Sequence, residues 1–293
     1  MGGAVAASEQ LWIAPGFGDL FARHGLRSLD DLFAVEAARR LDKATLPTWR
    51  ERVQLELADS DGVRHRLFLK RFSAPPASAR ARWGSPARSV AGVERHWVQA
   101  LAASGIPVPQ IAAFGEEFRQ GREVRSAIVL ADVGGISLET VAAHADVPAP
   151  RQLVEGVAEL VRQLHGAGFI HRDLYLSHVF LTNNRPRAPE LALIDLQRVM
   201  QRPWRWQRWR SRDLAQLAYS TPAHVAGRTA RLRFLKRYLG SDGLRSRSAR
   251  VLMRRVARKS ARIAGHDARV RDRVASARAA APQHPAGEEI EAR

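Results

Sequence analysis

Gly168-Phe169-Ile170-His171-Arg172-Asp173-Leu174, with Leu193-Ile194-Asp195-Leu196 further along, is the stretch on which the fold turns. Ahead of it, Leu153, Val154, Val157, Leu160, Val161 and Leu164 recur at helical spacing, so an amphipathic helix is expected that ends before Gly166 and Gly168. Behind it lie two short apolar runs, Val179-Phe180-Leu181 and Leu191–Ile194, joined by a loop with two prolines. These read as paired strands. Asp173 and Asp195 are 22 residues apart, enough for two strands and a turn, so the hairpin brings the second carboxylate back beside the first.

Further upstream, Val53, Leu55 and Leu57 alternate with polar residues, Asp59-Ser60-Asp61-Gly62 supplies turn chemistry, and Leu67-Phe68-Leu69-Lys70 follows. That is an antiparallel hairpin closing on a lysine. A helix is expected from Val90 to Ala103, with Glu94 early in it and Gly105 and Pro107 beyond its end. Short strands are expected at Ile111–Phe114 and Ile128–Leu130, separated by a charged turn. Residues 11–42 mix a turn around Phe17 with a short helix around Leu29, Leu32 and Phe33, and Ala74 to Ser89 reads as an exposed loop. Helical patterns dominate from Asp213 onward. The Ala/Pro/Glu-rich end from Ala279 has the composition of a disordered tail.

The order helix, HRD, strand, turn, strand, Asp resembles the catalytic loop and metal-binding strand of protein-kinase-like enzymes. In such folds one aspartate orients the acceptor hydroxyl and takes its proton, and the other holds magnesium against the phosphates. A strand lysine paired with a helix glutamate grips the nucleotide. Lys70 and Glu94 stand at those places. Only 4 of the 47 basic residues are lysine, so a lysine at this position is informative.

Hydrophobic residues are 45% and charged residues 26% of 293, which excludes a wholly disordered, collagenous or coiled-coil chain. The absence of cysteine excludes disulfides, thiolate metal sites and thiol nucleophiles. No apolar run reaches membrane-spanning length, and Met1 to Gln10 lacks the basic and apolar regions of a secretion signal. A cytoplasmic location is therefore expected. Net charge is +18, but residues 1–200 carry 24 basic and 22 acidic side chains, whereas residues 201–278 carry 22 and 4. The last third thus presents a cationic surface to a polyanion: nucleic acid, anionic lipid headgroups or a phosphorylated glycan. Trp204, Trp206 and Trp209 interleave with Arg202, Arg205, Arg208 and Arg210, either as an interfacial anchor or as rings packed on the helical lobe. Asp213 either anchors the catalytic loop from a helix start or is only an N-cap.

His171 to Leu181, Ile194-Asp195-Leu196-Gln197-Arg198, Glu94-Arg95-His96-Trp97 and Leu130-Ala131-Asp132-Val133 leading to Ile136-Ser137-Leu138-Glu139 together resemble the Kdo/WaaP lipopolysaccharide kinases, in order and spacing, from about Val53 to Tyr219. The resemblance implies an α+β, two-lobed, protein-kinase-like fold, with a small antiparallel sheet lobe and a larger helical lobe. It divides the chain into an N-terminal extension (1–42), an ATP-binding lobe (43–130), a helical lobe with the catalytic loop and basic helices (131–278) and a tail (279–293).

It also implies ATP and Mg2+ as cofactors and a heptose or Kdo sugar of a lipid-linked core oligosaccharide as acceptor. The protein would sit peripherally on the cytoplasmic face of the inner membrane, its basic third toward an anionic membrane surface rather than nucleic acid. Asp173 would be the base, Asp195 the metal ligand, Lys70 the phosphate clamp and Glu94 its partner, with Leu130 and Asp132 bordering the adenine. Two features depart from the protein-kinase pattern. His178 stands where those enzymes place a metal-binding asparagine, although magnesium prefers oxygen, so one ion or two stays open. No GxGxxG precedes the hairpin; Thr45 to Arg52 fills that place, with Arg50 or Arg52 as candidate phosphate contacts. The alternatives are a kinase-like enzyme acting on a protein or soluble metabolite, and an inactive kinase-like scaffold that binds a polyanion.

Overall fold

The computed structural model describes residues 8–36, 39–41, 47–80, 85–183, 185, 188–240 and 243–280. The chain opens with strand β1 (Ser8–Ile13) and helices α1 (Gly18–Arg23) and α2 (Leu29–Ala34). Ser28 starts α2 with a capping box: its hydroxyl accepts from the Asp31 N–H, and the Asp31 carboxylate accepts from the Ser28 N–H. Next come β2 (Arg39–Arg40), β3 (Arg50–Ala58) and β4 (Arg64–Ser73). The β3–β4 turn closes on the Asp59 carboxylate, which accepts from the Asp61 and Val63 N–H groups. Then follow α3 (Ala77–Arg80), α4 (Val90–Ala103), β5 (Ile111–Arg119) and β6 (Arg122–Ala131).

The six strands form one sheet in the order β1-β5-β6-β4-β3-β2, with every neighbour antiparallel. Alternation along β4 decides what each face does. Leu67 and Leu69 pack with Val53, Leu55 and Leu57 against Phe21, Leu29 and Leu32 of the first two helices. Lys70 and Phe72 belong to the opposite face, where Phe72 joins Val93, Trp97, Val98 and Leu101 of α4. Glu94 falls within that buried stripe of α4.

The helical lobe begins with β7 (Ile136–Ser137), α5 (Leu138–Ala143) and α6 (Arg151–Gly166). It continues through β8 (Phe169–Ile170), β9 (Val179–Asn183), β10 (Glu190–Leu193) and β11 (Met200–Gln201). Three helices complete it: α7 (Trp206–Ser220), α8 (Arg228–Leu239) and α9 (Arg247–Ala280). β9 lies between β10 and β7, while β8 pairs with β11. The architecture is α+β, a small antiparallel sheet lobe joined to a larger helical one. A single apolar core links α4 to Leu164, Phe169, Leu174 and Leu193 of the second lobe. Trp97 meets Phe169 edge to face at 6.4 Å, which fixes α4 relative to the segment that leads into the HRD tripeptide.

Several expectations shift. Residues 11–13, read as part of a turn-rich extension, belong to β1 on the edge of the sheet. The two strands expected as Ile111–Phe114 and Ile128–Leu130 are nine and ten residues long, because the charged Glu116, Glu117, Arg122 and Arg125 continue the ladder across a Gln120-Gly121 turn. The helix expected from Asp213 starts at Trp206, since alternating Trp and Arg hide its period. Ala74–Ser89 contains the short α3, and residues 81–84 lie outside the described residues, as do 281–293 of the expected tail. Among the described residues no helix is long and apolar enough to cross a membrane.

The strap between the lobes passes close over β9. Gly135 sits at φ +71°, and a Cβ there would lie 1.9 Å from the Leu181 carbonyl oxygen. Gly135→Ala is expected to destabilise the fold by more than about 1–2 kcal/mol, from left-handed backbone strain plus the clash. Chemical denaturation checks this, and an unchanged midpoint contradicts it.

Candidate active site

Lys70 reaches the space between the lobes from β4. Its Nζ donates to Glu94 Oε1 at 2.6 Å and to Asp195 Oδ1 at 3.0 Å. Burial works to lower the ammonium pKa, but Asp195 and Glu94 outweigh it and hold Lys70 above the ordinary lysine value. Burial likewise works to raise Asp195, yet Lys70, His178 and Arg50 keep its carboxyl far below the usual range, so it is ionised. Glu94 is fully buried, and its Oε2 has no hydrogen-bond partner among the described residues. A carboxylate so placed persists because the ammonium 2.6 Å away offsets its desolvation.

The HRD segment leaves β8 and is held from α7. Asp213 Oδ2 accepts from the His171 N–H at 2.7 Å, and Oδ1 accepts from the Arg172 N–H at 2.8 Å. One turn on, the Gln216 amide donates to the Arg172 carbonyl at 2.8 Å and accepts from the Leu174 N–H at 3.3 Å. His171 lies 3.1 Å through Nε2 from the Ile194 carbonyl, stitching the loop to the end of β10. Burial, then the neighbouring His178, push its pKa down to about 4, so it stays neutral and structural. Asp213 is thus an anchor, resolving the two readings of it. Arg172 (φ 71°) and Asp195 (φ 58°) both adopt left-handed backbone, strain of the kind that concentrates at functional sites.

Asp173 lies near enough to Asp195 to feel its charge. Arg198, one turn after Asp195, donates to Asp173 Oδ1 at 2.9 Å. Burial raises the Asp173 pKa and Asp195 adds to it, overriding the pull of Arg198 and His178. A raised carboxylate pKa suits a group that must accept a proton. His178 Nδ1 donates to the Asp173 carbonyl at 2.7 Å, and its Nε2 lies 3.8 Å from Asp195 Oδ2. Arg50 brings its guanidinium to 4.0 Å from Asp195 Oδ1, and Arg52 lies across from Lys70 in the β3–β4 register. Residues 45 and 46 of the expected phosphate loop are outside the described residues.

The structure therefore brings Lys70, Glu94, Asp173, His178 and Asp195 into one cluster. Leu130 is buried core near the end of β6, and the Asp132 carboxylate faces Arg66 at 3.3 Å and accepts from the Gly134 N–H, so neither offers a free side-chain group to a base. Arg198 and Gln216 carried no role in the sequence reading. The detectable signal was Asp213 and Gln216, polar residues three apart among the buried Leu214, Ala215 and Leu217. Among the described residues, no group of three or more His, Asp or Glu side chains could hold a metal. One carboxylate still fits magnesium, which takes most of its ligands from water and substrate phosphates. Asp195 Oδ2 is the oxygen facing away from Lys70 for that purpose, whereas the His178 imidazole is a poor match to a hard cation.

Comparison with known proteins places this geometry. Residues 58–238 match the model of the lipopolysaccharide kinase (Kdo/WaaP) family. The chain belongs to that family. It is 32% identical over 174 residues to the lipopolysaccharide core heptose(I) kinase WaaP of Pseudomonas aeruginosa, covering 53% of this chain and 65% of the relative. To WaaP of Escherichia coli K12 it is 33% identical over 162 residues, covering 52% and 61%. The chain thus spans less than two-thirds of the length of these curated relatives. A solved structure of WaaP in complex with acyl carrier protein superposes with a TM-score of 0.64 at 25% identity, covering 86% of this chain and 98% of that one.

Asp213→Ala would leave two buried N–H groups of the catalytic loop unpaired, at about 1–3 kcal/mol each. The expected result is a loss of stability of several kcal/mol by denaturation, with faster hydrogen exchange at His171 and Arg172. Unchanged exchange at those two amides contradicts the anchoring role.

Proposed function

We propose that the chain is an ATP-dependent kinase that phosphorylates a heptose or Kdo sugar of the lipopolysaccharide lipid A–core precursor. One observation carries this: Lys70, Asp195 and Asp173 converge from three distant parts of the sequence, with Lys70 and Asp195 in direct contact. Family membership and the relatives' heptose kinase activity support the sugar acceptor.

Lys70 grips the nucleotide phosphates, and Glu94 keeps its ammonium extended toward them. Asp195 and His178 line the metal side, with Asp195 the oxygen donor; magnesium, when bound, neutralises charge on the phosphates. Asp173 orients the acceptor hydroxyl and takes its proton, and Arg198 fixes which carboxylate oxygen is turned to the sugar. Leu130, in β6, and Asp132, just past its end, border the adenine.

The lipid-linked acceptor places the protein at the cytoplasmic face of the inner membrane, with the basic last third toward anionic headgroups. An apolar cavity of about 670 Å³ between α5, α6, α7, α8 and α9, walled by Leu138, Val157, Leu217, Phe234, Leu252 and Val256, has the chemistry of an acyl-chain site. The relative solved with acyl carrier protein supports a carrier-borne acyl chain as its occupant.

The test is incubation with Mg-ATP and defined heptosylated or Kdo-only core precursors, reading phosphate gain by mass spectrometry. Gain of one phosphate is expected, lost by at least about 100-fold in Asp173→Ala. Lys70→Ala should act mainly through weakened ATP use. Undiminished transfer by a folded Asp173→Ala protein contradicts the assignment.

A further inference from the structure

Arg172, the residue before Asp173, adjoins a group of cations that the phosphoryl-transfer chemistry does not use. Arg205 stands at the N-cap of α7, Arg208, Trp209 and Arg212 follow along one side of the helix, and α9 presents Arg255, Lys259 and Arg262 at helical spacing. The two helices pack together. Arg205, Trp206, Arg208, Arg255 and Lys259 line a cavity of about 540 Å³ between them. None of the six cations forms an ion pair with a carboxylate among the described residues. On the neighbouring surface, by contrast, Glu159 takes both Arg162 and Arg237.

This group is continuous with the HRD loop. Trp209 is ringed by three guanidinia: Arg172 at 5.0 Å from the ring centre, Arg208 at 5.7 Å and Arg212 at 5.9 Å. Arg172 immediately precedes Asp173. The charges also feel one another. Burial, then Arg208, Arg212, Arg262 and Arg255, hold the Lys259 ammonium below its ordinary value. Burial, then Arg198 and Arg212, bring Arg172 down to about 10. Gathering like charges around a cavity opposes folding, and a bound anion reverses the sign of that interaction. Guanidinia, with their forked donors, match phosphate oxygens.

We propose that the track from Arg172 and Arg212 to Arg208, Arg255, Lys259 and Arg262 is a binding site for phosphate groups on the acceptor, on the side of the catalytic base away from the nucleotide. Its assignment to an acceptor rests on the kinase reading; the anion site itself does not. A flat leaflet surface would need no cavity and no connection to the catalytic loop. The site would select acceptors that already carry phosphate and set the distance between that phosphate and the hydroxyl at Asp173.

The test fills the nucleotide site with a non-hydrolysable ATP analogue and Mg2+, then titrates inorganic pyrophosphate by calorimetry. The wild-type chain should bind it. Arg255→Gln with Lys259→Gln should weaken binding by at least about tenfold through lost charge-assisted bonds. Arg247→Gln with Arg250→Gln, an equal charge loss elsewhere on α9, should leave it unchanged. A parallel arm uses phosphatidylglycerol vesicles. No pyrophosphate binding by the wild type, equal weakening in both double variants, or binding to vesicles alone would each overturn the site. Pyrophosphate binding without phosphate transfer to any precursor would sustain the site and overturn the kinase reading; transfer without pyrophosphate binding would do the reverse.

Discussion

A single ammonium group shared between two carboxylates is the constraint on which the rest depends. Lys70 comes from the sheet, Glu94 from the helix packed on it, and Asp195 from the other lobe. Without the ammonium, the fully buried Glu94 would be an uncompensated charge, and Asp195 would lose the partner that keeps it ionised. The pairing therefore locks three elements whose sequence positions span 125 residues. Much of the apolar architecture, including Phe72 under α4 and the Trp97–Phe169 contact, serves to bring those elements into register.

The second lobe meets the same demand differently. The aspartate proposed as base, Asp173, must be held within tenths of an ångström to serve, yet its loop has no ladder of its own to fix it. Asp213 and Gln216 on α7 supply that ladder from the side, pairing with the backbone of His171, Arg172 and Leu174. His171 then ties the loop to the carbonyl before Asp195. The distance between the two carboxylates is thus governed by a buried polar network, and the strained backbone at Arg172 and Asp195 is tolerated because that network over-determines both.

Much of this was legible in the sequence, for identifiable reasons. Period-two alternation around Lys70, the helical stripe of Leu153 to Leu164 and the strand–turn–strand between Asp173 and Asp195 are local patterns, and each appears as read. Contacts that depend on a residue far away in sequence left fainter traces. Arg198 was visible as part of a motif, but nothing local says that its guanidinium turns back 25 residues to Asp173. The first turns of α7 were hidden because tryptophan and arginine alternate where a helix would show an apolar stripe, and those side chains answer to cations and cavity rather than to core. Leu130 and Asp132 were read as bordering the adenine; Leu130 is buried core in β6, and the carboxylate of Asp132 is turned to Arg66.

The most direct measurement is the affinity for ATP in the presence of Mg2+ and in its absence, for the wild-type chain and for Asp195→Asn. If Lys70 and Asp195 hold a triphosphate and its ion between them, the wild type binds ATP at least about tenfold more tightly with Mg2+, and the variant loses that difference. The same dependence on Mg2+ in both proteins would contradict the account.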